Sequence, residues 1–372
     1  MDTINNSLLN ELFKHYNFNI SNYIGKKPIN KGHINTTYIL YFDEGNKVKR
    51  YLLQQINTTV FSNPDKLMKN ILNITEYGKK YLKANNKNNY KNKFLRLYKT
   101  KDKKTYVTLS NNSCFRIYHY IENCINFDKT NSLDIFYEAG KTIGEFHTIL
   151  NNFDVNKLYI TIADFHNCKK RYDYFIKVLE NTNNKKINTC KEEIDFFIKN
   201  KHISSLIQDL IDNKKLPIKV VHNDTKLNNF MFEYGTNKGQ CIVDLDTIMP
   251  GTVLFDFGDF IRSGCNMADE DEINTKKVIF NIDGCKAFID GYLKKMKNKL
   301  NAVEIDNLFN GAIAITYECG LRFLTDYLLN NVYFKVLYEK HNLVRCKTQI
   351  ELCKQLIENS ELMVEYIYNK IK

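Results

Sequence analysis

The chain contains the stretch Val221-His222-Asn223-Asp224-Thr225-Lys226-Leu227-Asn228-Asn229-Phe230, and Asp244 lies fifteen residues beyond Asn229. Transfer of a γ-phosphoryl group from ATP needs a carboxylate that accepts the proton of the acceptor hydroxyl, and oxygen ligands that hold Mg²⁺ against the phosphates. Asp224, Asn229 and Asp244 supply a carboxylate, an amide oxygen and a second carboxylate. The spacing therefore predicts a phosphotransferase site, with Asp224 as the base and Asn229 and Asp244 as metal ligands.

Apolar segments flank this loop on both sides. Residues 216–221 and 230–232 predict buried strands before and after it, and residues 241–243 predict a strand that returns Asp244 to the loop. His222 is expected to support the loop by hydrogen bonds to its backbone instead of transferring protons. The alternative interpretation is a polar hairpin whose Asp and Asn side chains only cap turns.

The pattern of apolar residues divides the chain into two lobes. Residues 1–120 combine helical and strand-like segments, whereas residues 121–372 are mainly helical apart from the strands around the Asp224 loop. In the first lobe we predict a helix beginning at Pro64 and strands at 36–42, 50–56, 94–98, 106–109 and 115–121; in the second we predict helices at 132–150, 165–179, 190–210, 285–300 and 305–330. The predicted fold is α+β and two-lobed, like a protein kinase, with a small, mostly-β N-terminal nucleotide-binding lobe and a larger, mainly helical C-terminal catalytic lobe.

Size and composition exclude several classes of protein. With 372 residues, 43% of them hydrophobic, the chain is long enough for a sizeable core, and it contains no uninterrupted apolar run of membrane-spanning length. Its ten cysteines include no C-x-x-C pair, and residues 1–6 lack the basic and apolar segments of a secretory signal. We therefore expect a cytoplasmic protein with no membrane partner. The oligomeric state is left open, and a monomer is compatible with the sequence.

The net charge of +12 is concentrated in one segment. Residues 79–104 contain ten Lys and Arg96 against a single acid, Asp102, a balance of +10 that leaves +2 for the rest of the chain. One Lys- and Asn-rich stretch is typical of a solvated surface that weakly attracts anionic nucleotides. A nucleic-acid partner would require tight binding with a steep salt dependence, and we do not expect one.

Several segments together resemble the N-acetylhexosamine 1-kinase family, which belongs to the aminoglycoside phosphotransferase and choline kinase superfamily. These segments are 30–38, 53–58, 115–122, 222–229, 244–251, 256–259 and 318–328. The superfamily loop alone implies only that some hydroxyl is phosphorylated. The segments Asp244-Leu245-Asp246-Thr247 and Arg322-Phe323-Leu324-Thr325-Asp326-Tyr327 resemble the hexosamine branch in particular.

The resemblance implies a reaction and a sugar site. ATP would phosphorylate the anomeric hydroxyl of N-acetylglucosamine or N-acetylgalactosamine with the help of Mg²⁺, giving the sugar 1-phosphate. His33, Arg322 and Tyr333 would recognise the sugar, since Arg donates through a fixed fork and Tyr donates or stacks on the ring. Asp246 would orient the sugar or a metal-bound water, or else stabilise a turn.

The resemblance also implies where the nucleotide binds. No Gly-x-Gly-x-x-Gly loop is present, and only Gly32 lies in the turn before a predicted strand. Adenine would meet the backbone near Tyr120, Ile121 and Glu122, between the lobes. Asp256 begins an Asp-Phe-Gly triplet that binds metal in protein kinases, but the resemblance implies instead that Asp256 accepts hydrogen bonds from the backbone of the catalytic loop.

Two other interpretations of the sequence stay open. A kinase of the same superfamily could act on a different hydroxyl, that of choline, an amino acid or an aminoglycoside. Choline would need an aromatic cage and an aminoglycoside an acidic groove; the chain has no Trp, although it has 24 Tyr. The other interpretation is a catalytically idle, kinase-like binding module, against which the intact Asp224, Asn229 and Asp244 argue.

Overall fold

The computed structural model describes residues 4–29, 35–85 and 92–372. Within these residues the chain forms two compact units. Unit 1 comprises Met1–Cys124 and Asn156–Ile162, and unit 2 comprises Ile125–Val155 and Ala163–Lys372. Gly32 and His33, two of the predicted site residues, lie outside the described residues.

Unit 1 combines an antiparallel sheet with helices. Its elements are α1 (Asn6–Lys14), β1 (Tyr23–Ile29), β2 (Thr36–Asp43), β3 (Val48–Ile56), α2 (Pro64–Ala84), β4 (Val107–Thr108) and β5 (Cys114–His119). In the described part of this unit, five strands pair in the order β1-β2-β3-β5-β4. Helix α2 begins at Pro64, whose fixed φ suits a first helical position, and the Asn63 side chain accepts a hydrogen bond from the Lys66 N–H. One face of α1, with Leu12 and Phe13, packs in the same core as Leu40 and Leu53 of the sheet.

Two details of unit 1 differ from the sequence prediction. The predicted strand at 94–98 is wrong, because the segment joins the sheet by a single bridge, between Leu97 and Tyr118. The bonds beside that bridge, Tyr98 N–H to Ile117 O and His119 N–H to Arg96 O, are each 2.8 Å long and are not continued into a ladder. Strand β1 was not predicted, because Tyr-Ile-Gly-Lys-Lys-Pro-Ile lacks alternation; its Pro is tolerated at the edge of a sheet.

Unit 2 is mainly helical, and the described helices and strands agree with the predicted fold class. The short strand β6 (Cys124–Ile125) lies at the boundary between the units. The elements that follow are α3 (Leu133–Leu150), α4 (Cys168–Glu180), α5 (Asn184–Asn188), α6 (Lys191–Lys199), α7 (Gln208–Asp212), β7 (Lys219–Val221), β8 (Phe230–Glu233), β9 (Gly239–Ile242), β10 (Met249–Gly251), α8 (Val253–Gly264), α9 (Ile282–Met296), α10 (Ala302–Leu328), α11 (His341–Glu358) and α12 (Ser360–Ile371). No helix in the described ranges is both long and apolar enough to cross a membrane.

The helix predicted at 190–210 is divided into three parts in the structure. Helix α6 ends at Lys199, a 3₁₀ segment follows at Lys201–Ser205, and α7 begins at Gln208. The break falls at Asn200, whose side chain donates to the carbonyl of Phe196 at 2.8 Å. Asn competes with the backbone for such bonds and is favoured at helix ends, which is why the apolar periodicity alone did not reveal the break.

Helices α8 and α10 approach each other closely at two glycines. A Cβ atom on Gly258 would lie 2.4 Å from the backbone oxygen of Gly311, and a Cβ on Gly311 would lie 2.4 Å from the oxygen of Leu254. The obstacle is backbone in both cases, so a rotamer change cannot relieve it. Helix α8 carries Asp256, so the contact with α10 helps to fix the position of that side chain.

We expect Gly258→Ala to destabilise the protein by about 1–3 kcal/mol or more, the usual range for overpacking a core. The added methyl group would separate α8 from α10. Urea unfolding followed by circular dichroism measures the change, and Ser263→Ala on the same helix is the control, with a much smaller effect expected. Equal stability of Gly258→Ala and the wild type would contradict the described helix contact.

Candidate active site

The segment between β7 and β8 forms the centre of the candidate site. Strand β7 pairs antiparallel with β10, and β8 pairs antiparallel with β9. The pairing of β7 with β10 fixes the start of the loop. The pairing of β8 with β9 brings the chain back beside the end of the loop, where the Val243 N–H donates to the carbonyl of Asn229 at 2.8 Å. Asp244 is therefore next in the chain to a residue that is bonded to the loop.

The side chain of Asn229 donates two hydrogen bonds to Asp224, one to the main-chain carbonyl and one to the carboxylate. The Nδ2 of Asn229 donates to the Asp224 carbonyl at 2.8 Å and to Asp224 Oδ2 at 3.1 Å. Because the amide nitrogen is directed at Asp224, the Oδ1 of Asn229 is directed away from it. The structure thus brings together the predicted base and a predicted metal ligand, with an amide oxygen presented as a hard cation requires.

Asp256 binds the backbone of the loop directly. Its Oδ2 accepts from the His222 N–H at 2.7 Å, and its Oδ1 accepts from the Asn223 N–H at 2.6 Å. The carbonyl of Asp256 accepts from the Thr225 hydroxyl at 2.6 Å. Asp256 is fully buried in the first turn of α8 and contacts the residues on both sides of Asp224.

His147 on α3 completes the environment of Asp256 and was not identified from the sequence. Its Nε2 lies 2.8 Å from Asp256 Oδ2, and its Nδ1 lies 3.2 Å from the Tyr292 hydroxyl. Burial opposes ionisation of the Asp256 carboxyl, but hydrogen bonding and charge from His147, together with His222, hold the pKa of Asp256 below its ordinary value. No local motif marks His147, since it is more than a hundred residues from Asp256 in sequence.

His222 connects the loop to the chain that carries Asp244. Its Nε2 donates to the Val243 carbonyl at 2.8 Å, and its Nδ1 accepts from the Asp224 N–H at 3.3 Å. Asn223 has a φ of 65°, a left-handed conformation that Asn tolerates better than most residues. The Asn223 side chain donates to the Thr247 carbonyl at 2.8 Å, and the Thr247 hydroxyl donates to the carbonyl of His222 at 2.7 Å.

Lys226 is a further member of the site that was not identified from the sequence. Its Nζ lies 3.0 Å from Asp224 Oδ1, and the two side chains are 39% and 27% exposed. Burial opposes ionisation of Asp224, but the charge and hydrogen bond of Lys226 lower the pKa of the Asp224 carboxyl below its ordinary value. The signal was present in the loop itself, since Lys226 is two residues from Asp224.

We expect Lys226→Met to shift the acid limb of the kcat/KM profile to higher pH. That limb reports the pKa of an essential base in the free enzyme, and the ordinary value for Asp is about 4. The Lys226 charge lowers the Asp224 pKa, so its removal raises that pKa and the base is lost sooner as the pH falls. Lys226→Arg keeps the charge and serves as the control. An unchanged limb in Lys226→Met would contradict the electrostatic coupling.

The remaining acidic candidates occupy different environments. Asp244 is exposed and has a φ of 61°, and Asp246 is 3% exposed in the 3₁₀ turn Leu245–Thr247. In the described ranges, no three His, Cys, Asp or Glu side chains converge as a metal cage. Mg²⁺ commonly binds one or two protein oxygens together with phosphates and waters, so Asn229 and Asp244 fit this ion without such a cage.

Arg322 and Tyr333 lie together in a cluster of aromatic rings. The Arg322 guanidinium carbon is 5.7 Å from the Phe165 ring centroid, 5.8 Å from that of Tyr333 and 5.4 Å from that of Phe334. The carboxylate of Asp326 accepts from the N–H groups of Tyr333 and Phe334 at 2.8 and 2.9 Å, which fixes both rings beside Arg322. Within the described residues Arg322 forms no ion pair with Glu318.

The predicted nucleotide contacts Tyr120, Ile121 and Glu122 follow β5 in unit 1. Arg50 of β3 holds this segment, since its guanidinium pairs with the Glu122 carboxylate and lies 4.4 Å from the Tyr120 ring centroid. The Tyr120 N–H donates to the Arg50 carbonyl at 3.4 Å. The described contacts therefore join the end of β5 to β3.

Comparison with solved structures shows which known fold the chain resembles. The chain is similar to an aminoglycoside phosphotransferase from Alicyclobacillus acidocaldarius, with 10% identity, a TM-score of 0.63, and coverage of 98% of this chain and 97% of the other. It is also similar to a Plasmodium vivax ethanolamine kinase, with 16% identity, a TM-score of 0.54, and coverage of 89% and 83%. A spectinomycin phosphotransferase solved with ADP and spectinomycin has 14% identity, a TM-score of 0.53, and coverage of 96% and 100%. At these identities the likeness establishes a kinase-like fold.

The sequence of the central segment is similar to one family of enzymes. Residues 114–279 match the model of the phosphotransferase enzyme family, APH, and this segment includes the whole Asp224 loop, Asp244 and Asp256. This central segment is therefore similar to the phosphotransferase enzyme family. The predicted α+β fold class, with an antiparallel-sheet lobe and a mainly helical lobe, is confirmed.

Proposed function

We propose that the chain is an ATP-dependent kinase that phosphorylates the anomeric hydroxyl of N-acetylhexosamines, giving the sugar 1-phosphate. The observation that carries the proposal is the fixed position of Asp224. Asn229 bonds its carboxylate, and Asp256 holds the backbone of the two residues that precede it. A preorganised carboxylate of this kind suits a general base, whose efficiency depends on its geometry before its pKa.

Asp224 is the base in this mechanism. Its lowered pKa keeps it ionised throughout the neutral range, so that it accepts a proton from a bound hydroxyl without first losing one. An anomeric hydroxyl is more acidic than an ordinary alcohol, and a weak base suffices when the proton moves late in a loose transition state. Lys226 is paired with Asp224 Oδ1 and would add a positive charge beside the transferred group.

Asn229 and Asp244 would hold Mg²⁺ in this proposal. The ion, when bound, neutralises charge on the nucleotide phosphates. Asn229 would provide its Oδ1, which the two bonds from its Nδ2 direct away from Asp224, and Asp244 would provide an exposed carboxylate. His222 and Asp256 would support the loop through their hydrogen bonds without contacting ATP or the sugar.

The surroundings of Arg322 favour a neutral acceptor over choline. An aromatic cage for a quaternary ammonium group leaves the centre of its rings for the ligand. Here Arg322 itself is the cation beside Phe165, Tyr333 and Phe334, so a second cation would meet a like charge. A sugar instead offers hydroxyls and a carbonyl to the guanidinium and an apolar face to Tyr333.

The nucleotide and the sugar would bind to different parts of the chain. Residues 1–120 would bind ATP, with adenine at Tyr120, Ile121 and Glu122 and with Gly32 near the phosphates, and residues 121–372 would bind the sugar. His33 and Asp246 would contribute to sugar recognition; the burial of Asp246 favours contact through its neighbours or a turn-stabilising role. We propose a cytoplasmic enzyme.

Purified protein with Mg²⁺-ATP and a panel of acceptors tests the proposal. The panel contains N-acetylglucosamine, N-acetylgalactosamine, galactose, choline, ethanolamine, spectinomycin and kanamycin, and the readout is acceptor-dependent release of ADP. The highest kcat/KM is expected for an N-acetylhexosamine. Turnover only with choline, ethanolamine or an aminoglycoside would overturn the sugar assignment and keep the phosphotransferase, whereas no turnover with any acceptor would favour an idle binding module.

A further inference from the structure

Two charged side chains of unit 2 lie near the catalytic loop without a role in the mechanism above. They are Arg171 on α4 and Glu318 on α10. Arg171 is close enough to both Arg322 and Glu318 to interact with them electrostatically. Helices α4 and α10 pack together, so the two side chains come from facing elements. Glu318 begins the segment 318–328 that carries part of the family resemblance, whereas Arg171 lies outside all of those segments.

Glu318 is 2% exposed, and only one of its oxygens is satisfied. Its Oε2 lies 3.3 Å from His166 Nδ1, while its Oε1 is buried and has no hydrogen-bond partner among the described residues. The Nε2 of the same His166 lies 3.3 Å from the carbonyl of Asn223, the residue before Asp224. One imidazole therefore separates Glu318 from the backbone of the catalytic loop.

Arg171 has a buried hydrogen-bond donor, its Nε, that lacks an acceptor. Its terminal NH2 group donates to the Phe165 carbonyl at 3.5 Å, and its Nε has no hydrogen-bond partner among the described residues. Burial and the neighbouring Arg322 charge lower the pKa of the Arg171 guanidinium. The site around Arg171 therefore favours an oxygen acceptor and disfavours a further cation.

A buried carboxylate oxygen and a buried guanidinium N–H are each costly to leave unpaired. Arg171 and Glu318 do not form an ion pair with each other among the described residues. A ligand that satisfies both must offer one donor and one acceptor. A secondary amide carries one N–H and one carbonyl, and on a 2-acetamido sugar it is attached to the carbon beside the anomeric centre.

We infer that Glu318 and Arg171 form the subsite for the acetamide group of the acceptor, with the amide N–H donating to Glu318 Oε1 and the amide carbonyl accepting from Arg171 Nε. The inference rests on the proposed sugar kinase activity and names the residues that make it specific for N-acetyl sugars. The adjacency of His166 to Asn223 places this subsite beside the base, as an acetamide next to the reacting hydroxyl requires.

The test compares N-acetylglucosamine with glucose in the wild type, Glu318→Gln and Arg171→Met. The quantity measured is the ratio of the two kcat/KM values, because glucose differs by the acetamide and a general loss of activity cancels. Lys170→Met, adjacent to Arg171 but exposed, and Glu193→Gln, a buried acid on α6, are the matched controls. A charged hydrogen bond is worth about 1.5–3 kcal/mol, which corresponds to a tenfold to roughly hundredfold fall in the ratio for either variant.

The outcomes separate this inference from the proposed function. The subsite is supported by a fall in the ratio of kcat/KM values in both Glu318→Gln and Arg171→Met. Turnover of glucose should then stay near normal, and the control variants should show no effect. Equal losses with both sugars overturn it and assign Glu318 to positioning of the loop through His166. A wild type that phosphorylates both sugars equally well overturns the subsite alone, whereas a wild type that phosphorylates neither overturns the sugar kinase as well.

Arg171→Met provides the answer should Glu318→Gln fail to fold, since Arg171 is only partly buried. Its folding is checked by circular dichroism and by the affinity for ATP, which the subsite does not contact. Saturation-transfer NMR on N-acetylglucosamine adds a readout independent of turnover. A strong acetamide methyl signal in the wild type that weakens in Arg171→Met is expected, and an unchanged methyl signal would contradict the assignment.

Discussion

Asp224→Asn is expected to lower kcat by about a thousandfold or more while the protein stays folded. General-base catalysis contributes about 10²- to 10⁴-fold to rates, and the variant also loses the negative charge that holds Lys226. The Asn side chain has nearly the same shape, so the bonds of the Asp224 N–H and carbonyl to His222 and Asn229 should persist. KM for ATP should change little.

The measurement is steady-state turnover with saturating N-acetylglucosamine, together with the unfolding midpoint. Asp173→Asn makes the same chemical change on the exposed face of α4 and is expected to retain full activity. A rate for Asp224→Asn within tenfold of the wild type would remove Asp224 from the role of base.

Asp256→Ala has the largest expected effect on stability, a loss of about 3–5 kcal/mol, as for removal of one partner from a buried ionic network. The substitution would leave the N–H groups of His222 and Asn223 and the ring of His147 without their acceptor. Activity should fall with stability, because those N–H groups fix the backbone beside Asp224. Urea unfolding measures the loss, and the exposed Asp195→Ala serves as the control, with a change below about 0.5 kcal/mol.

The difference in stability between Asp256→Ala and the wild type should depend on pH in one direction only. The Asp256 pKa is lowered in the folded protein, so its contribution is complete above the unfolded value, about 4. It is lost as the pH falls through the lower folded pKa. The difference should therefore be constant from neutral pH to about pH 4 and shrink below it; a difference that grows on acidification would contradict the assignment of Asp256 as an ionised acceptor.

The catalytic loop was predictable because its chemistry is local. Asp224, Asn229 and the strands around them lie within about fifteen residues, where apolar segments and polar spacing are both visible in the sequence. The two-lobed α+β fold followed from the change from strand-like to helical periodicity. The strand predicted at residues 94–98 was wrong, because this segment has strand-like composition but forms a single bridge. Strand pairing also depends on the available edge of β5, which composition does not reveal.

The supporting residues were not predictable, because they act across long sequence separations. His147 contacts Asp256 from α3, and His166 contacts both Asn223 and Glu318, yet a lone His inside a helical or loop segment carries no local signal. Lys226 is the exception. It lies inside the loop that the sequence identified, and a Lys two residues after a catalytic carboxylate could have been recognised as its charge partner.

A ³¹P NMR spectrum of the protein incubated with Mg²⁺-ATP and N-acetylglucosamine or N-acetylgalactosamine shows directly whether the chain phosphorylates an anomeric hydroxyl. We predict a new sugar phosphate resonance, split by the anomeric proton, that grows as the γ-phosphate signal of ATP declines and is absent with Asp224→Asn. A product phosphorylated at a primary hydroxyl, or transfer to choline or kanamycin with none to either sugar, would contradict the claim of an anomeric N-acetylhexosamine kinase.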